Sequence, residues 1–496
     1  MMKTKTKRLS ALLLAALMML LPMSACSDNG ADEQAAEGNA SAGANDPVPG
    51  ETAEPETEDP GLDDGLPEVD YEGYTYHICH WGEKVNIEEE TGEALNDAIY
   101  RRNKALEERF DIAVEGVEFE DYNKATEAVK TAVSAGVNDY DVAFLHMVSA
   151  GQAAPGGYFY SIDLLDAVHP EKPWWDTDCV EAFTVAGHMK LLCGMPLPNA
   201  MLRSSCMAFN KARFVDHGLE YPYGTVDAGE WTLDALFDLT KDVTTDLNGD
   251  GEITEDDDFY GLTSWYLDSP YSFYYGAGGT IVKTNEDGIP VLNMDLEFNT
   301  AVYEKIFRVV VDNQSNYHTD INTYKKAYET FQVGRALFCE ASLAHFKEDK
   351  FREMEDDYGV LPMPKYNTDQ EHYMSFVNGA ACMIAVPASI EDPERTGILL
   401  EGLAVESYRN IREALFEITA KSKSSRDEDS TRMMDLVMET RVFDLGYSHM
   451  YDQQLINFVR DLLAKQSTDV ASTIQKQTKA VEKKLEKIIE SYEKNG

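Results

Sequence analysis

Two stretches of the sequence hold side chains whose types and spacing suit chemistry. In DLNGDGEITEDD, Asp246, Asn248 and Asp250 stand at positions one, three and five of a twelve-residue loop, and Gly251 takes the sixth, where the chain must turn sharply. Glu252 at seven would add its backbone carbonyl and Asp257 closes the loop at twelve, so that hard oxygens surround one calcium ion, which takes six to eight of them at about 2.4 Å. Asp replaces the usual Glu at twelve, Ile253 at eight is the expected anchor, and DFYGL follows as turn or strand in place of a second helix. The expectation is one structural calcium site, not a paired sensor. The second stretch, GLTSWYLDSPYSFYYGAGG, is dense in rings and acids. Aromatic faces stack on the C–H surfaces of a pyranose while carboxylates accept from its hydroxyls. Trp265, Tyr266 and Tyr271 are thus candidate stacking groups and Asp268 a candidate hydroxyl acceptor for a carbohydrate.

These residues need a scaffold, and strands alternating with helices supply one from Tyr71 onward. YTYHICHW alternates in part as a strand, LNDAIYRRNKALEERF places Leu95, Ala98, Ile99, Leu106 and Phe110 mostly on one helical face, and IAVEGVEF is a short second strand. YNKATEAVKTAVSAG is a helix ending near Gly136, and YDVAFLH a buried strand. This β-α-β-α-β order predicts an open α/β sheet whose ligands sit beyond the carboxyl ends of its strands, at the loops beginning at Trp81 and His146. Both residues join the candidates, His146 as a hydrogen-bonding group. Further on, CMAFNKARFVDHGL reads as strand then helix, and EWTLDALFDLTKDVTTD as a helix capped by Thr232 with Leu233, Leu236, Phe237 and Val243 inward. RALFC, YGVLPMPKY and ACMIAVP are further strands; Glu340, directly after RALFC, is another candidate for ligand contact. The tail from Pro393 is mainly helical.

The N-terminus speaks for the compartment. Lys3, Lys5, Lys7 and Arg8 precede an apolar run from Leu9 to Leu21, and Ser24 and Ala25 stand directly before Cys26. The run falls short of the roughly 20 residues a membrane span needs, so residues 1–25 read as a secretion signal. The small residues before Cys26 resemble a bacterial lipobox, in which that thiol is lipidated, although Met23 replaces the usual Leu. Residues 26–70 lack Lys and Arg and are rich in Gly, Ala, Pro, Asp and Glu, the composition of a disordered acidic linker. A net charge of −46 excludes nucleic acid and other polyanions as partners. Cys79, Cys179, Cys193, Cys206, Cys339 and Cys382 are too sparse for a disulfide scaffold, and no pairing follows from their spacing.

From Tyr71 to the C-terminus the order of LNDAIYRRNKALEERFDI, YDVAFL, KPWWD, FNKARFVDHGL, EWTLDALFDLTKDVTTDLNGDG, FQVGRALF, YGVLPMPKY and IAVPASIEDPERTGILLEGL resembles the extracellular solute-binding proteins of ABC importers, in the maltodextrin-binding-like group. The resemblance implies an α/β fold of two lobes, the class II periplasmic-binding-protein-like architecture, with a ligand clamped by hinge closure. It implies lobe one over residues 71–195 and 334–393, lobe two over 196–333 and 394–496, a monomeric receptor, an ABC permease as partner, and a membrane-anchored, extracellular location. Asp268, Pro270 and Tyr271 resemble, with one inserted residue, an acid–Pro–Tyr group that contacts sugar in those proteins. Leu145 stands where they carry a stacking tryptophan, which argues against maltose itself, and Trp174 and Trp175 read as packing near a lobe edge.

Two other classes stay open. A receptor of the same architecture for a peptide or another non-sugar solute differs only in cleft chemistry. A secreted glycoside hydrolase needs two carboxylates about 5 to 10 Å apart, and acids are too abundant here for their number to decide. No GxSxG, HExxH or Walker pattern is present. The order of elements favours a binder, not an enzyme.

Overall fold

The computed structural model describes residues 63–320, 322–347, 349–420 and 428–496. The signal, Cys26 and residues 26–62 of the expected linker lie outside them. The strands, in chain order, are β1 (Tyr74–His80), β2 (Ile112–Glu118), β3 (Val142–His146), β4 (Ser205–Asn210), β5 (Tyr260–Ser264), β6 (Asn316–His318), β7 (Ala336–Ser342), β8 (Tyr358–Leu361) and β9 (Cys382–Ala385). The helices that position the site are α1 (Ala94–Phe110), α2 (Tyr122–Ala135), α3 (Met147–Ala153), α4 (Leu233–Thr240), α5 (Ser269–Gly276), α6 (Pro393–Ala420), α7 (Leu445–His449) and α8 (Val470–Asn495). No helix among the described residues is long and apolar enough to cross a membrane.

The first sheet has the order β9-β3-β1-β2, with β1 parallel to both neighbours and β9 antiparallel to β3. Its helices form as the apolar spacing predicts: α1 buries Leu95, Ala98, Ile99, Leu106 and Phe110, and α2 stops at Gly136 in the left-handed region. Full burial of a side chain such as Leu106 or Phe110 contributes about 1.5–3 kcal/mol. The second sheet has the order β6-β5-β7-β4-β8, parallel across β6-β5-β7 and antiparallel across β7-β4-β8. Thr232 caps α4 by accepting from Ala235 N–H (3.2 Å).

Strand pairing redraws the expected lobes. The resemblance places residues 334–393 in lobe one, yet β7 and β8 pair with β4 in the second sheet, and β9 alone of their strands returns to the first. The resemblance places residues 394–496 in lobe two, yet α6 packs along α1. Gly402 permits that approach, since a Cβ there would stand 2.7 Å from the Phe110 ring. Local sequence shows that these strands and helices form; which neighbour completes their hydrogen bonds and covers their apolar faces is set by long-range packing. The expected linker also ends early: Asp64 is buried and forms a two-bond ion pair with Arg109 (2.7 and 3.0 Å).

Three chain segments cross side by side between the sheets. Ser204 bridges Val377, while Ser375 and Phe376 pair in parallel with Arg441 and Val442. Asn378 N–H adds a bond to the Arg203 carbonyl (3.2 Å). The six cysteines named above are buried and unpaired. Trp174 and Trp175 are buried too, and both indole N–H groups donate to Glu401 of α6 (2.9 and 3.0 Å). Glu401→Ala strands two buried donors, and we expect it to lower stability by about 2–4 kcal/mol in urea unfolding monitored by tryptophan fluorescence.

Candidate functional site

Beyond the carboxyl ends of β3 and β5 the two sheets face each other across a cavity of about 340 Å³. Lobe one contributes Tyr122 and Asn123 from the start of α2, His146 from the end of β3, and Ser149 and Gln152 from α3. Lobe two contributes Trp265, Leu267 and Asp268 from the turn between β5 and α5. The crossing segment supplies Asn378, Gly379 and Ala380, and the C-terminal region adds Tyr447 of α7 and Tyr451. The two helices meet almost backbone to backbone: a Cβ on Gly151 would stand 2.7 Å from the Ser448 carbonyl carbon, and Ser448 Oγ donates to the Met147 carbonyl (3.1 Å).

A buried acid holds the lobe-two wall. Trp265 N–H donates to Ser269 Oγ (2.7 Å), and the Ser269 and Ser272 hydroxyls donate to the two Glu340 oxygens (2.7 and 2.8 Å). Glu340 stands on β7, beside β5, and is 3% exposed. Burial pushes its carboxyl up to about 8 against the two serine bonds, and the nearby Asp268 charge acts in the same upward direction. Asp268 itself is half-buried and makes no side-chain hydrogen bond or ion pair among the described residues. Desolvation raises its carboxyl to about 6, opposed by the Arg203 charge, so it is ionised at neutral pH.

On the opposite wall the rings support one another. Tyr122 stacks on His146 with centroids 4.3 Å apart, and Trp81 meets both rings edge-on at 5.6 and 5.3 Å. Burial, with the Arg203 charge second, lowers the His146 imidazole to about 4, which keeps it neutral. Ser149 N–H approaches Nδ1 at 3.4 Å, which assigns the ring proton to Nε2.

Of the residues singled out in the sequence, His146, Trp265 and Asp268 meet at this cavity. Trp81 stands behind His146, and Tyr266 is half-buried outside the lining. Tyr271 is a core residue, 2% exposed, its hydroxyl bonded to Asn457 and its ring against Tyr447. Glu340 lies beneath the wall and shapes it without lining the cavity. Tyr271 and Glu340 fall in elements buried on both faces, where alternation carries no information about which side meets ligand. Tyr122 follows the carboxyl end of β2, the same signal that marks His146. Tyr447 and Tyr451 had no local signal, because the packing of α7 on α3 brings them in.

The acidic loop is built from its own hydrogen bonds. Asp246 accepts from Gly249 and Gly251 N–H (2.6 and 2.8 Å), Asp250 accepts from Glu252 N–H (2.8 Å), and Gly251 takes φ +87°. The Asn248 amide donates to Asp250 (2.9 Å) and Asp257 (2.7 Å). Among the described residues no three His, Cys, Asp or Glu side chains gather as a metal site. The Asn248 amide oxygen in turn accepts from Asp250 N–H (2.8 Å). Ile253 is 45% exposed and does not anchor the loop; the buried Asp258 does, accepting from Leu247 and Thr254 N–H (2.8 Å each).

No known protein-family profile matches the sequence, and no curated protein matches it. Solved structures do match the fold. A cyclo/maltodextrin-binding protein complexed with maltotetraose aligns with a TM-score of 0.54 at 14% identity, over 85% of this chain and 96% of its own. An ABC transporter solute-binding protein from Thermotoga lettingae TMO, bound with α-D-tagatose, gives 0.53 at 19% identity over 83% and 100%. UgpB from Mycobacterium tuberculosis, in complex with glycerophosphocholine, gives 0.52 at 15% identity over 84% and 99%. The chain thus has the two-lobed α/β fold of the solute-binding proteins of ABC transporters, among which the maltodextrin-binding proteins stand.

The folded-state value of Glu340 lies above the usual carboxylate range, so the native state holds its proton more tightly than the unfolded chain does. That contribution to stability is complete below about pH 4.5 and lost as pH rises through about 8. Urea unfolding at pH 5 and pH 8.5 is expected to show a larger loss of stability for the wild type than for Glu340→Gln, which cannot ionise.

Proposed function

We propose that this chain is the receptor subunit of an ABC importer, held outside the cell membrane by a lipid on Cys26, and that it captures a carbohydrate of one or two rings for delivery to the permease. One observation carries the reading: Trp265 and Asp268 from one lobe face Tyr122 and His146 from the other across a single cavity. At about 340 Å³ it lies near the small end of the range for small-molecule sites. Ring faces suit the C–H surfaces of a pyranose, while Asp268, the His146 Nε2–H, Asn378 and Gln152 suit its hydroxyls. Neighbours of the same fold that hold tagatose or maltotetraose support the class of ligand.

The mechanism is capture. Ligand touching both walls stabilises the closed arrangement more than the open one, and that difference in binding shifts the population toward closure. Hydrolysis is disfavoured because the lining contributes Asp268 and no second carboxylate to act with it. A receptor for peptides would need backbone-pairing groups, and the polar lining groups are side chains on separate elements. Calorimetry against a panel of mono- and disaccharides is expected to give one-to-one binding without turnover, with no response to peptides. Trp265→Ala is expected to weaken binding about 10- to 100-fold, that is about 1.4–2.8 kcal/mol, while Tm moves little.

We further propose that the Asp246–Asp257 loop takes one calcium ion in a structural role. Its support is the ligand spacing together with the turn already formed around Asp246 and Gly251. Calcium at millimolar concentration is expected to raise Tm by a few degrees, and Asp250→Ala to abolish that rise; no change in wild-type Tm refutes the site.

A further inference from the structure

The charge inside the cavity is lopsided. Asp268 carries a formal negative charge, and among the residues that line the cavity no Lys or Arg answers it. His146, the lining group able to become cationic, stays neutral at physiological pH. The Asp268 carboxylate has no hydrogen-bond or ion-pair partner among the described residues, although it is half removed from water. The basic group that acts on it, Arg203, sits on the crossing segment outside the lining and forms no ion pair with it. An ionised carboxylate in such a place is costly unless a partner arrives.

The surroundings name the partner's chemistry. Aromatic rings from both lobes and from the C-terminal region line the same cavity as the acid: Tyr122, Trp265, Tyr447 and Tyr451. Tyr447 and Tyr451 meet edge to face at 5.3 Å, and Tyr122 is backed by His146. Ring faces are negative and attract a cation within about 6 Å, more strongly when water is excluded. A hydroxyl would satisfy the acid's hydrogen bonding but leave its charge unanswered. An ammonium group answers both. The net charge of −46 also concentrates cations near the molecule.

We propose that the ligand carries a cationic nitrogen that sits against Asp268 among these rings, so that the captured solute is an amine-bearing saccharide. The inference rests on the carbohydrate reading for the remainder of the ligand, and the aromatic–carboxylate pocket carries the amine.

Calorimetry at pH 7 tests it with the full secreted chain, using D-glucosamine, D-galactosamine, their neutral parents D-glucose and D-galactose, their N-acetyl forms, and tetramethylammonium as a cation without a sugar. Asp268→Asn serves as the matched variant, with its fold checked by Tm. The expected result is at least one amino sugar bound tenfold or more tightly than its neutral parent and its N-acetyl form, with the preference lost in Asp268→Asn. Neutral and amino sugars bound alike would overturn the amine and leave the carbohydrate reading intact. Tetramethylammonium bound, with no sugar bound, would uphold the cation pocket and end the carbohydrate reading. No binding by any of these probes overturns both.

Discussion

Hydrogen bonding among the three crossing segments is the constraint on which this molecule depends. Ser204 with Val377, and Ser375–Phe376 with Arg441–Val442, tie separate parts of the chain into one narrow bridge. Two sheets joined this way cannot slide past one another without breaking buried backbone bonds. The Arg441 guanidinium reinforces the bridge by bonding Asp176 at 2.6 and 2.8 Å. The same bridge sets the carboxyl end of β3 opposite that of β5, which creates the cavity.

Around that cavity the polar groups divide into two roles. Glu340, Ser269 and Ser272 are buried and bonded to each other, and they hold the turn that carries Trp265 and Asp268. Asp268, the His146 ring and the Tyr451 ring are partly open and face the space between the lobes. The bonded groups give the turn rigidity, while the Asp268 carboxylate has no partner among the described residues. Burial drives the electrostatics on both walls, lowering His146 and raising Asp268 and Glu340. The Arg203 charge acts on both Asp268 and His146.

Much of the scaffold was legible in the chain. The apolar spacing of α1, the cap at Thr232 and the stop at Gly136 are local features whose physics acts within a few residues, and they appear where the sequence places them. His146 was marked by its place at a strand's carboxyl end and Trp265 by the density of rings and acids around it, and both line the cavity. Tyr271 and Glu340 misled because the helix and the strand that carry them are buried along their whole length. Tyr447, some 300 residues from His146, reaches the same cavity through packing that no window of sequence contains.

By itself, then, the sequence determined the alternation of strands and helices, the acidic character of the surface, the turn-forming loop at Asp246–Asp257 and the residues at strand ends. Tertiary structure alone decided which sheet received β7, β8 and β9, which helix covered α1, and which rings line the cavity with Asp268. The reason is range: periodicity, capping and turn chemistry act through neighbouring bonds, whereas strand partners and cavity walls depend on contacts between segments that the chain brings together only on folding.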